Sequence, residues 1–166
     1  DDRLGVYGVA VRPLLYNSIK LPERFNWIYG CTNGEAVRPV GAFFAARREC
    51  FNVAGLFSES LGRQGKHLLS GEETEFFNRV QRYMGLVVRL DNECAVEHIA
   101  SGIGWRYVLR RAFMEGVSKA KFKQYSMRAE QKYLLRYARD PLGWLIALLA
   151  VAGFIYGKIN KLLASM

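Results

Sequence analysis

The 166-residue sequence predicts an α/β fold that gives way to a basic amphipathic helix and then to one hydrophobic helix. Three observations carry that prediction. Gly5-Val6-Tyr7-Gly8-Val9-Ala10-Val11 is an apolar, β-prone run, the pattern of a buried strand. Phe76, Val80, Met84 and Val87 recur at steps of three and four, which places them on one face of a helix. Leu142–Gly157 runs sixteen residues without a charge, between Arg139 and the lysines Lys158 and Lys161.

Pro13 is expected to close the first strand. Residues 16–39 form a long connection holding Pro22, Gly30, Gly34 and Pro39, with Trp27 and Tyr29 between them and a short helix over Glu23–Ile28. Connections of this length often carry function, and the competing reading is an aromatic plug over the core. Val40–Ala46 reads as a second strand, and Arg47–Val53 as a short helix stopped near Gly55. Leu56–Ser70, with Gly62, Gly65 and His67, reads as a loop feeding the next helix, His67 being a solvated loop residue. Gly85 ends that helix. Leu86–Leu90 is a short strand, Asp91-Asn92 a turn, and Cys94–Glu97 a further extended piece with His98 at its end. Trp105, Val108, Leu109, Ala112, Phe113, Gly116, Val117 and Ala120 then recur at helical spacing, with Arg106, Arg110, Arg111 and Lys119 on other faces.

Charge divides the chain. Residues 1–104 carry twelve Lys/Arg against twelve Asp/Glu, while residues 105–139 carry ten Lys/Arg against Glu115 and Glu130 alone. Nearly all of the +9 net charge therefore sits in one segment, which suits phosphates or an anionic membrane surface. No nucleic-acid-binding motif accompanies it, so nucleic acid is not an expected partner. Pro141 breaks the helical pattern before the uncharged run. At 1.5 Å per residue that run is about 24 Å long, short for a bilayer core of about 30 Å. Flanking lysines can snorkel and a bilayer can thin, so spanning, lying in the interface and packing against protein are all open. The domain reading is 1–104, 105–140 and 141–166. Cys31, Cys50 and Cys94 show no metal-binding or disulfide spacing and fit a reduced compartment.

The densest chemistry is Ser70-Gly71-Glu72-Glu73-Thr74-Glu75, three carboxylates in the first turn of a helix. Ser70 and Glu73 have the spacing of a capping box, a purely structural device. The unpaired N–H groups of a helix start are expected to lower a carboxylate pKa there.

Four segments in register resemble inverting family 2 glycosyltransferases with a GT-A fold. Gly71-Glu72-Glu73 is similar to the family's Gly-Glu-Asp-like motif, whose second acid is the catalytic base. Val40-Gly41-Ala42-Phe43-Phe44-Ala45-Ala46-Arg47-Arg48-Glu49 is similar to its GAN-x-x-F-R-R-E segment, with Phe43 where the family has Asn. Gly55–Gly62 resembles its GGFDE-x-L-G loop, and Leu109–Lys119 its LLRRA-x-x-QG-x-SK tail. The resemblance runs from about Gly5 to Phe122. It implies the C-terminal, acceptor-side portion of a GT-A domain, transferring a sugar from a nucleotide-diphospho-sugar to a glycan or lipid-linked acceptor. It implies Glu73 as base with Glu72 in reserve, and Arg110, Arg111 and Trp105 toward the donor diphosphate. Gly41, Ala42 and Trp27 fall to the acceptor side, and His98 to the metal. The family's Asp-x-Asp motif, which holds most of the Mn or Mg cation, and its N-terminal β/α half have no counterpart here. Alone, the chain is therefore expected to be inactive. A membrane-attached enzyme with a cytoplasmic catalytic part is the implied setting. The competing class is a non-enzymatic module that docks on a membrane through the basic helix and the hydrophobic tail.

Overall fold

A computed structural model of the chain describes residues 2–33, 36, 38–63, 68–121 and 140–163. Gly34, Gly65, His67 and the basic segment 122–139 lie outside them. The chain forms two compact units, Asp1–Ser58 with Glu72–Gly104, and Glu59–Gly71 with Trp105–Met166. The architecture is mixed α/β, with a small three-stranded sheet in the first unit and a long apolar helix at the end of the second.

In the first unit the sheet order is β2–β1–β3, with β1 at Leu4–Tyr16, β2 at Phe44–Ala46 and β3 at Val87–Ser101. Strand β1 pairs antiparallel with β2 through Val6–Gly8 and parallel with β3 along most of its length. Contrary to the sequence reading, β1 runs through Pro13. Beyond Gly8, no strand among the described residues pairs with it on its β2 side. There Val11 bonds Thr32 instead, its N–H donating to Thr32 Oγ1 and its carbonyl accepting the Thr32 N–H, both at 3.0 Å. Pro13, two residues on, shares that edge, where the N–H it lacks has no ladder to serve. Strand β3 likewise absorbs the expected Asp91-Asn92 turn. The turn chemistry is present, since Asp91 Oδ1 accepts the Glu93 N–H at 2.8 Å and the Cys94 N–H at 3.3 Å. It makes a register shift between Asp91 and Ala95 within one strand rather than a reversal.

A 3-10 helix spans Glu23–Tyr29, α1 spans Arg48–Ala54 and α2 spans Glu72–Met84. Helix α2 buries Phe76, Phe77 and Val80 and ends at Gly85, whose φ of 64° is the left-handed cap that glycine adopts without strain. Val87, expected on the same helical face, instead opens β3. The core packs Val6 and Val88 of the sheet against Cys50 and Ala54 of α1 and the buried face of α2. Phe51 stacks on Phe76 at 4.8 Å, and Phe44 meets Phe77 edge-on at 5.1 Å. The expected strand Val40–Ala46 is β2 only from Phe44; Val40–Phe43 is a turn closed by the Phe43 N–H on the Val40 carbonyl at 3.2 Å.

The second unit is built on α3, Trp105–Lys121, and α4, Pro141–Leu163. A Cβ added to Gly116 would stand 1.9 Å from the Ala150 carbonyl oxygen, and one added to Gly153 as close to that of Phe113. The two backbones are thus in direct contact, an approach only glycine permits. Helix α4 is long and apolar enough to cross a membrane, with mean hydropathy 1.9.

Candidate functional site

The first turn of α2 holds Glu72, Glu73 and Glu75, and each takes a different environment. Glu75 pairs with Arg79 one turn on, at 2.8 Å. Arg79 also donates to the Ala54 carbonyl and, at 2.7 Å, to the Leu56 carbonyl, so this pair braces α2 against the end of α1. Glu73 reaches the Val40–Phe43 turn, where its Oε1 accepts the Gly41 N–H at 3.3 Å. Glu72 Oε2 is buried with no hydrogen-bond partner among the described residues.

Burial, and then the charge of Glu72, push the Glu73 carboxyl above its ordinary value. The backbone N–H groups of Glu73 and Gly41 oppose that rise and are outweighed. The helix start was expected to lower this value. Half-burial beside a second carboxylate reverses the direction. A carboxylate with raised proton affinity is the better proton acceptor at neutral pH.

Of the other acceptor-side residues, Ala42 is exposed in the same turn as Gly41. Trp27 is half-buried in the 3-10 helix. His98 is exposed on β3, opposite Pro13. No group of three or more His, Cys, Asp or Glu able to hold a metal occurs among the described residues.

The second unit contains a polar cluster that no motif announced. Arg111 is 7% exposed. Its Nη1 donates to Glu115 Oε2 at 2.9 Å and to Ser70 Oγ at 3.1 Å. The Ser70 hydroxyl donates to Glu115 Oε2 at 2.8 Å, and the Ser70 N–H to Ser118 Oγ at 3.0 Å. Burial raises the proton affinity of Glu115, but Arg111, Lys119 and Ser70 outweigh it and hold the carboxyl below its ordinary value. Two expectations change here. Ser70 bonds Arg111, Glu115 and Ser118, and Glu73 bonds Gly41, in place of a reciprocal capping box. Arg111, expected on an outer face toward a diphosphate, is buried and bonded to Glu115 and Ser70. The i,i+4 spacing of Arg111 and Glu115 was the available signal. Arg110 remains exposed, and Trp105, at the first position of α3, is 52% exposed.

The chain matches no family model, no curated protein and no solved structure.

Proposed function

We propose that the chain supplies the acceptor side and the general base of an inverting, membrane-attached glycosyltransferase. The observation that carries this reading is Glu73: its carboxylate sits beside the exposed Gly41–Ala42 turn with its proton affinity raised by burial and by Glu72. Glu73 takes the proton from an acceptor hydroxyl as that oxygen forms its bond to the anomeric carbon of the sugar. The bond from that carbon to the nucleoside diphosphate breaks on the opposite face, and the electron pair leaves with the diphosphate. Glu72 keeps Glu73 basic through its own charge. In this reading Arg110, exposed on α3, faces the diphosphate, with Trp105 at the same helix end; Arg111 acts by holding Ser70 on α3. A divalent cation in such enzymes neutralises the leaving group, but the described residues do not build its site, and no step above depends on it. A glycan or a polyprenyl-phosphate-linked alcohol is the acceptor class that suits attachment through the apolar α4.

The second reading is a non-enzymatic membrane-docking module. The exposed apolar side chains of α4, among them Trp144, Leu148 and Ile155, favour it. One assay separates the two. The full-length polypeptide containing this chain is incubated with labelled nucleotide-diphospho-sugars and membrane lipid extract, as wild type and as Glu73→Gln. The enzyme reading expects transfer by the wild type and a loss of about 100-fold or more in Glu73→Gln, the scale of acid–base catalysis. Absence of transfer with every donor leaves the docking module.

A further inference from the structure

The outer and inner faces of α4 differ in kind. Trp144, Leu148, Val151, Ile155, Ile159 and Leu162 are exposed and fall within about 80° of one another around the helix. Gly143, Ala150, Gly153 and Gly157 occupy the opposite side. Three of these small residues meet α3 directly: Ala150 and Gly153 cross at Gly116 and Phe113, and Gly157 lies against Val117 and Ala120. Farther along, Lys121 of α3 and Lys161 of α4 line one cavity. Position numbers rise together on both helices, so they run side by side in the same direction.

This pairing bears on how α4 meets a bilayer. Helix α3 carries Arg106, Arg110, Arg111, Glu115, Lys119 and Lys121. With the backbones in contact, α4 cannot cross a hydrocarbon core without drawing these charges in with it, which is strongly unfavourable. The pair is instead built like an interfacial helix. Its outer face is apolar and includes Trp144, a residue suited to the headgroup level. Arg106, Arg110 and Lys121 share one side of α3, within about 60°. Lys121 and Lys161, with Asn160 and Ser60, line an opening of about 400 Å³, large enough for a phosphate headgroup. Basic residues beside an apolar stripe complement an anionic lipid surface.

We propose that the α3–α4 pair lies in the plane of an anionic bilayer surface, with the outer face of α4 at the headgroup–acyl boundary, and that α4 does not cross. This rests on the membrane-attached reading above and specifies its geometry. Depth measurement tests it on the whole chain. Leu148→Cys, Ile155→Cys and Leu162→Cys, each in a Cys94→Ser background, are spin-labelled one at a time; Cys31 and Cys50 are buried. Each protein is bound to vesicles of phosphatidylglycerol and phosphatidylcholine, and depth is read from collisions with oxygen against a water-soluble nickel chelate. The three sites lie on one face, seven residues apart. The in-plane pair places all three at one shallow depth. A spanning helix separates successive labels by about 10 Å along the bilayer normal, and that gradient overturns the proposal while leaving membrane attachment standing. Three fully aqueous labels remove membrane attachment itself.

Discussion

Glu73 and Glu115 are both half-buried glutamates, and their surroundings move them in opposite directions. Glu73 is pushed up by burial and by Glu72, so its contribution to stability is full at low pH and is lost as pH rises through its folded value. Glu115, with Arg111 and Lys119 outweighing burial, is held down. Its contribution is present above the ordinary value of 4.5 and is lost as pH falls through its folded value. Urea denaturation at about pH 7 separates the two. Glu115→Gln is expected to lose about 3 kcal/mol, because Arg111 is left buried beside a neutral partner, and the deficit shrinks as the solution is acidified below 4.5. Glu73→Gln is expected to match or exceed the wild type at neutral pH, with its advantage fading on acidification. A Glu115→Gln variant as stable as the wild type would remove the cluster from the account of the second unit. Sequence marked both residues as acidic but not their environments. A first-turn glutamate with free helix N–H groups is ordinarily stabilised as an anion, and only the fold shows that burial and a neighbouring charge outweigh those groups.

Among the elements, the legible ones were those whose pattern is local. The acidic helix stopped at Gly85, the short helix near Glu23 and the helix opening at Trp105 all follow from periodicity and capping. Strand limits did not, because pairing decides them. Pro13 stays in β1 because no strand among the described residues occupies that edge, and Asp91-Asn92 become an irregularity because β3 continues alongside β1. The α3–α4 contact was the least visible feature. Gly116 was read as one position in an apolar stripe, and the glycines of α4 as part of a uniform hydrophobic run. Both are points where the two backbones touch. Gly116→Ala puts a methyl group 1.9 Å from the Ala150 carbonyl oxygen. That contact requires the helices to separate, at a cost of about 3 kcal/mol or more, beyond ordinary overpacking. Thermal unfolding of Gly116→Ala is expected to fall well below that of the wild type. An unchanged midpoint would show that the pair is looser than described.

At the scale of the whole molecule, the charge split and the two compact units divide the work proposed for the chain. The first unit holds Glu72, Glu73 and the Gly41–Ala42 turn; the second holds the basic α3 and the apolar α4. The four motifs in register were legible as a resemblance. The chemistry they imply depends on a carboxylate whose proton affinity is raised by burial and then by its neighbour, and the neighbour's share is measurable. The most direct measurement is the pH dependence of kcat/KM for sugar transfer by the full-length polypeptide, in wild type, Glu72→Gln and Glu73→Gln. A general base gives an acid limb at its own pKa in the free enzyme. The wild-type limb is expected above the ordinary carboxylate value of 4.5. Glu72→Gln, which removes the neighbouring charge, is expected to move the limb downward while transfer persists. Glu73→Gln is expected to lose the limb together with most of the rate. An acid limb that stays in place in Glu73→Gln, with near-normal transfer, would contradict Glu73 as the base.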